Sequence, residues 1–253
     1  RSSKLIKKHY NGELKLLTFL PFYHIFGLTA MYMWFAFYAR TFVHLKDLSS
    51  HTILNTIRRH NVTHIFAVPL FWNKVYAEAL KKIKERGEKT YQKFQRGLKL
   101  SNSLSGIPFL AKAFRKKFLK EIRDNLFGES ICFMITGGGV ISSDVMGFFN
   151  GIGYHLSNGY GMSEVGITSV ELSENNKILN SCSIGMPMAS VEYRINENQE
   201  LLIRGNSLCQ FYYEGEEKVE IGDSWFNSKD LAQEKNGRYY LLGRTDDLIV
   251  SSS

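Results

Sequence analysis

Seven consecutive residues, Asn158-Gly159-Tyr160-Gly161-Met162-Ser163-Glu164, concentrate an aromatic ring, pliable backbone, one hydroxyl and one carboxylate. Those groups suit a nucleotide: the ring can stack on a base, the hydroxyl can meet a phosphate oxygen, and the carboxylate can hold Mg²⁺. Upstream, the apolar run Ile131-Cys132-Phe133-Met134-Ile135 ends in Thr136-Gly137-Gly138-Gly139. Glycines after a buried strand let backbone approach a flat ligand, and open α/β sheets bind ligands beyond the carboxyl ends of their strands. Taken alone, either segment reads equally well as a turn between strands.

Other motifs narrow the chemistry by failing. The glycine turn is no Walker loop, since no Gly-Lys-Ser/Thr follows, and Ser142 breaks the dinucleotide fingerprint. A nucleophile elbow would need glycine where Val165 stands, so Ser163 is not expected to be a nucleophile. His60 and His64 are four apart, but no further zinc ligand accompanies them; a helix end running into a strand explains them. Downstream, Asp230 closes Trp225-Phe226-Asn227-Ser228-Lys229-Asp230, and Arg244 sits in Gly243-Arg244-Thr245-Asp246-Asp247. An aspartate can accept from ribose hydroxyls, and an arginine can donate to ribose or phosphate oxygens. Each motif by itself is also a plausible hairpin turn with surface charges.

The elements that must position these groups follow from periodicity. Residues 14–20 read as a buried strand, 28–38 as a buried helix and 41–45 as a short strand. Ser49 or Ser50 can cap a helix carrying Ile53 and Ile57 on one face, and residues 62–68 form the next strand. Strand, helix and strand at this spacing predict a parallel βαβ unit. Residues 70–86 and 109–126 are helical in pattern, with a helix and a loose connection over 87–108. Residues 131–135 form a strand covered on both faces, and 144–150 a short helix. Short strands over 154–156 and 167–172 flank the heptad. After residue 181 the pattern changes to short strands over 191–195, 200–203, 218–221 and 239–242. The expected fold is α/β: a layered, mostly parallel sheet with helices over 1–180, then a small antiparallel, barrel-like β subdomain over 181–245.

With 253 residues, 44% hydrophobic and 22% charged, the composition is that of a globular protein. The net charge of +8 is regional: residues 74–123 hold 15 basic and 4 acidic groups, whereas the chain beyond residue 123 is acidic. A basic face can meet anionic lipid or a polyanionic cofactor, and a solvated helical surface explains it as well. No RNA-binding aromatic motif accompanies it, so no nucleic-acid partner is expected. Residues 16–39 lack charge, but Pro21, His24 and Gly27 interrupt them, and no membrane span is expected. Three distant cysteines, Cys132, Cys182 and Cys209, fit a reducing, cytoplasmic setting.

The order of the motifs is more specific than any one of them. The series LPFYHIFG, TGGG, GYGMSE, ELLIRG, WFNSKD and GRTDDLIV resembles the adenylate-forming (AMP-binding) superfamily across essentially the whole chain. The run THIFAVPLFWNKVY and the basic helical insert before TGGG are similar to its long-chain fatty acyl-CoA synthetase branch. The resemblance implies that Tyr160 stacks on adenine and that Gly137, Gly138 and Gly139 line the base and acyl sites. It places Asn158, Gly159 and Gly161 in the same nucleotide-binding motif. It further implies that Ser163 meets the α-phosphate, Glu164 coordinates Mg²⁺, and Asp230 and Arg244 bind ribose. His24 would lie beside the acyl carboxylate, and Asp246, with residues 246–253, would begin a hinge.

The implied reaction uses ATP, Mg²⁺, a fatty acid and coenzyme A. The carboxylate attacks the α-phosphorus of ATP to give acyl-AMP and pyrophosphate. The thiol then attacks the acyl carbonyl and releases AMP. Two departures from the pattern are visible: Ser163 stands where threonine is usual, and Lys229 replaces the glycine of a Thr-Gly-Asp turn. The Ser/Thr/Gly-rich phosphate loop and the lysine-bearing C-terminal domain of the family are not within these residues. The sequence is therefore expected to be an internal section, inactive alone. Rival expectations are a non-catalytic AMP-binding remnant, an adenylating enzyme that loads a carrier protein, and a membrane-surface module using residues 74–123. The aromatic residues Phe22, Phe26, Tyr32, Trp34, Phe35 and Phe37 suit either an acyl tunnel or a core.

Overall fold

Burial sets the main sheet. In the computed structural model, which describes residue 9, residues 12–221 and residues 225–245, three strands are buried at nearly every residue. They are β1 (Lys15–Thr18), β3 (His64–Ala67) and β4 (Phe133–Thr136), the pattern of parallel strands covered on both faces. Together with β2 (Thr41–His44), β5 (Leu156–Met162) and β6 (Gly166–Val170) they form a sheet ordered β2-β1-β3-β4-β5-β6. Its ladders are parallel except for the β5–β6 hairpin. The mostly parallel α/β layer read from the sequence is present.

Successive side chains on a strand point to opposite faces, and this divides the core in two. On one face, Leu17, Ile65 and Met134 pack under helices. These are α2 (Ser50–His60), α3 (Pro69–Glu85), α4 (Glu88–Ser103), α5 (Pro108–Phe118), α6 (Lys120–Asn125) and α7 (Ser143–Gly151). Ser49 caps α2 by accepting from the Thr52 amide, and Ile53 and Ile57 are buried, as their spacing predicts. On the other face, Leu16, Phe66, Phe133 and Ile135 meet Phe26, Met31 and Phe35.

That second cover differs from the expected buried helix over 28–38. It is a π-helix (Phe26–Met33) running into α1 (Trp34–Phe37). Only one side is covered: Tyr32, Met33 and Phe37 are exposed, Phe37 by 82%. A single sheet face can bury one stripe of a helix, not its whole circumference.

The C-terminal part is antiparallel, as expected. β7 (Val191–Ile195) and β8 (Glu200–Gly205) precede a separate hairpin of β9 (Phe211–Glu214) and β10 (Glu217–Glu220). β11 (Phe226–Lys235) and β12 (Arg238–Arg244) complete a sheet ordered β12-β11-β8-β7. A short helix, α8 (Asn176–Leu179), lies between the two sheets in sequence. Isolated bridges Ser169–Pro187 and Gly185–Tyr239, and an ion pair from Arg238 Nε to Glu171 Oε2 at 3.1 Å, join the parts.

α2 ends at His60 and β3 begins at His64, so that pair is a helix end running into a strand. His64 is fully buried, with Nε2 donating to the His9 carbonyl at 2.8 Å. Burial lowers its pKa to about 4. Among the described residues there is no metal-type cluster of three or more ligating side chains, and no helix is long and apolar enough to cross a membrane. All three cysteines are free thiols.

Candidate nucleotide and acid site

The heptad is not a turn between short strands. Residues 158–162 lie within β5, and only Ser163, Glu164 and Val165 make the turn to β6. The glycines permit this pairing. A Cβ on Gly161 would stand 2.4 Å from the Gly166 carbonyl oxygen, and one on Gly159 would press Ile135 at 3.3 Å. Glycine here serves close strand approach, the alternative to its role as turn former.

β4 delivers Gly137 and Gly138 at its carboxyl end, where the chain turns with Gly138 at φ +79°. Opposite them the chain enters the π-helix through Pro21 to Gly27. The Pro21 carbonyl would lie 2.2 Å from any Cβ on Gly27, so that turn accepts only glycine. The His24 ring stands at the helix entry, its Nδ1 accepting from the Phe26 amide at 3.3 Å. π-turns are rare and are frequent at functional sites.

Between these elements lies a cavity of about 150 Å³. His24, Gly137, Gly138, Gly159, Tyr160 and Gly161 all border it. Its remaining wall is apolar, including Phe26, Trp34, Phe133 and Ile135. Two of the aromatic residues singled out in the sequence therefore line a cavity. Phe35 is core, and Phe22 packs on that core.

Tyr160 joins this cavity to the second sheet. Its ring is buried against Tyr193 in an edge-to-face contact at 6.3 Å, and its hydroxyl donates to Asp230 Oδ2 at 2.5 Å. Burial, then the adjacent Asp230 charge, raises the phenol pKa, so the proton stays on Tyr160. Arg244, paired with Asp230 in the β11–β12 ladder, brings Nε to 3.4 Å from Asp230 Oδ1. The three residues thus form a connected tyrosine–carboxylate–guanidinium arm.

Beside this arm, Lys229 takes a backbone conformation that glycine favours. It adopts φ +62°, its amide donates to Asn227 Oδ1, and β11 bulges between Asn227 and Leu231. The Ser228 hydroxyl donates to the Leu201 carbonyl and accepts from the Asp230 amide. The left-handed backbone at Lys229 carries a cost that glycine there would not.

The other candidates lie outside the cavity lining. Gly139 is exposed beside Pro69, Asn158 donates from Nδ2 to the Cys182 carbonyl at 2.9 Å, and Ser163 is exposed on the β5–β6 turn. Glu164 is half-buried on the same turn, its carbonyl accepting from the Cys209 amide at 2.7 Å. Its carboxylate makes no hydrogen bond or ion pair among the described residues. Mg²⁺ is usually held by one or two carboxylates together with phosphate oxygens and water, so a single free carboxylate fits that donor set. The buried Thr136 Oγ1 and Asn158 Oδ1, on neighbouring positions of β4 and β5, also lack partners. Asp246 lies outside the described residues.

Sequence reasoning missed the support behind the arm. Tyr193 on β7 shares a hydroxyl contact with Thr168 and donates to Ser169 Oγ at 3.1 Å, bracing β6 beside Tyr160. It also missed a buried amide network. Asn150 Nδ2 donates to Asn180 Oδ1, while Asn176 and Asn180 both donate to Asn102 Oδ1. Their separation in sequence leaves no local signal.

A family model described as AMP-binding enzyme matches residues 2–213. The chain is 25% identical to the chicken (Gallus gallus) long-chain-fatty-acid–CoA ligase ACSBG2, covering 100% of this chain and 35% of that protein. It superposes on the O-succinylbenzoate coenzyme A synthetase of Bacillus subtilis in complex with AMP with a TM-score of 0.65. Identity there is 22%, over 99% of this chain and 45% of that one. The same synthetase in complex with ATP and magnesium ion gives a TM-score of 0.61 at 20% identity, over 99% and 46%. These structural likenesses show a shared fold. The chain spans less than half the length of each of these relatives.

Proposed function

The chain belongs to the AMP-binding enzyme family, and from that premise we propose that it supplies the nucleotide- and acid-binding part of an ATP-dependent, long-chain fatty acid–CoA ligase. The observation that carries this reading is the Tyr160–Asp230–Arg244 arm, whose Tyr160 borders an apolar cavity at a glycine turn.

Each side chain then has a physical task. Tyr160 offers a ring face to adenine while its hydroxyl fixes Asp230. Asp230 accepts from the ribose hydroxyls, and Arg244 balances its charge and donates to ribose oxygens. Gly137, Gly138 and Gly139 allow backbone to approach the base, with Asn158, Gly159 and Gly161 shaping the adjoining strand. Ser163 donates its hydroxyl to the α-phosphate. Glu164 would hold Mg²⁺, which neutralises phosphate charge when bound. His24 stands where the acid's carboxylate meets the nucleotide. Asp246 is proposed as the hinge.

The chemistry assigned to the whole ligase is the two-step transfer. The carboxylate oxygen bonds to the α-phosphorus as pyrophosphate leaves; the thiol sulfur of coenzyme A then bonds to the acyl carbon as AMP leaves. Positioning and charge neutralisation supply most of such catalysis. The apolar cavity favours an apolar acid. At its present size it takes a group of about benzene's bulk, so a long chain needs the π-helix to shift.

Residues 1–253 contain neither the phosphate loop nor the catalytic lysine of the pattern, so alone they are expected to bind nucleotide with little or no acyl-CoA formation. The test is fatty-acid-dependent pyrophosphate release, measured on these residues and on the same residues joined to both segments. Release only from the joined protein supports the ligase. AMP binding with no release from either supports a non-catalytic remnant, and a carrier-protein acceptor is recognised by thioester formation on pantetheine instead of free coenzyme A.

A compatible second reading is contact with an anionic membrane surface. α5 exposes Phe109, by 80%, and Leu110 and Phe118 beside the exposed lysines Lys112, Lys116 and Lys117. Apolar groups with adjoining lysines suit a lipid interface. Co-sedimentation with anionic vesicles that fades with salt supports it; absent or salt-insensitive binding rejects it.

A further inference from the structure

A second, larger concavity lies on the other face of the main sheet. It is a groove of about 660 Å³ between α2 and α3. It shares no lining residue with the cavity beside His24. Its volume falls within the range of small-molecule sites, about 300–1,000 Å³.

The groove has a sorted chemistry. Its floor is aliphatic and aromatic, including Leu54, Phe71, Val75, Ile83 and Phe127. Four cations, Arg58, Lys74, Lys82 and Arg86, border it against one carboxylate, Glu78. Two of those cations are committed to the fold. Arg58 Nη2 donates to the carbonyls of Asp124 and Leu126, and Arg86 pairs with Glu121 at 2.5 Å. These contacts fasten α6 across the end of the groove. Glu78 receives the Ser50 hydroxyl at 3.4 Å. Lys74 and Lys82 make no hydrogen bond or ion pair among the described residues. They stand one helical step either side of Glu78, on the stripe of α3 that borders the floor.

We propose that this groove binds one free, single-chain anionic amphiphile, with its chain on the apolar floor and its head group between Lys74 and Lys82. The shape argues for a chain over a compact ligand. Leu70 and Ile83 both line the groove, and the helix between them spans about 20 Å. The charge argues for an anionic head, because the ammonium groups of Lys74 and Lys82, neither paired among the described residues, outweigh the single carboxylate of Glu78 that stands between them. A concave slot one helix gap wide suits a single extracted chain and not the plane of a bilayer. The inference stands whether or not the ligase reading is correct, since it uses a different face of the sheet.

The probe is dodecyl phosphate, kept below its micelle-forming concentration and titrated calorimetrically into the full chain. Saturable binding is expected, weakened about tenfold or more by combined Lys74→Glu and Lys82→Glu, a loss typical of reversing a contacting charge pair. Leu54→Trp, which fills the floor, should also weaken it. Ala30→Trp, which fills the cavity beside His24, should leave it unchanged. Lys74 and Lys82 are exposed, so the double variant is expected to keep its circular dichroism spectrum. Four outcomes overturn the proposal: no saturable binding, undiminished binding after charge reversal, loss in Ala30→Trp alone, or binding confined to anionic phospholipid vesicles.

Discussion

The hydroxyl of Tyr160 on β5 donates to the carboxylate of Asp230 on β11 at 2.5 Å, across seventy positions of sequence. One bond therefore ties the glycine-rich strand of the parallel sheet to a carboxylate of the antiparallel one. Replacing Tyr160 by Phe keeps the ring but leaves a buried carboxylate short of one donor. A loss of about 1–3 kcal/mol in urea denaturation is expected. A double-mutant cycle with Asp230→Asn should return most of that as coupling energy. Additive single effects would show that the bond contributes nothing.

Gly161→Ala should be disproportionately costly. The new methyl meets the Gly166 carbonyl at 2.4 Å and Ile167 Cα at 2.8 Å, both backbone atoms. The β5–β6 hairpin must open to accommodate it. A destabilisation of about 1–3 kcal/mol is expected from such overpacking, with a matching fall in nucleotide affinity. Gly166→Ala, which meets no atom within 4 Å but has φ +75°, gives the comparison for backbone strain without a clash.

Lys229 is a site where a substitution should help. A left-handed lysine costs about 1–2 kcal/mol relative to its ordinary conformation, and glycine removes that cost at the expense of some unfolded-state entropy. Lys229→Gly should raise stability by roughly 0.5–1 kcal/mol net. A lower denaturation midpoint would mean that the lysine side chain makes an offsetting contribution.

His64 makes stability fall with acid. Its pKa is about 4 in the fold, chiefly through burial, against 6.5 in an unfolded chain. Above pH 6.5 both states are neutral, so the full stability is present. As pH drops from 6.5 toward 4 the unfolded state takes up the proton first, and stability is lost, by up to about 3 kcal/mol. Denaturation curves at pH 7.5 and 5.0 should converge more closely for His64→Phe than for the parent chain. Equal pH slopes in the two proteins would contradict this assignment.

How much of this was legible in the sequence depends on range. The βαβ unit, the Ser49 cap and four of the six described C-terminal strands rest on local periodicity and local caps, and they read correctly. β11, which carries Asp230, escaped as a strand because its polar Asn227-Ser228-Lys229-Asp230 run resembles a turn. Taken alone, the heptad left a turn and a site equally open, because glycine has two uses, turning and close approach. Only the facing Gly166 backbone shows which applies. The π-helix escaped because one extra residue per turn leaves no mark in composition. The strand over Phe211–Glu214 escaped because it is mostly exposed and pairs only with its own hairpin partner. The site was legible in part through motif order: His24, Gly137, Gly138, Gly159, Tyr160 and Gly161 meet at one cavity, and Asp230 meets Arg244 beside Tyr160. Tyr193, Thr168 and the Asn102–Asn150–Asn176–Asn180 network left no signature, since their meaning lies wholly in long-range contact.

The central claim is that Asp230, held by Tyr160 and Arg244, is part of a nucleotide site. Calorimetric titration of AMP into the chain and into Asp230→Asn tests it directly. Saturable binding is predicted for the parent, weakened about tenfold or more in the variant, as when a hydrogen-bonded charge is removed from a ligand. Equal AMP affinity in a folded Asp230→Asn protein, or no AMP binding by the folded parent chain, would contradict the account.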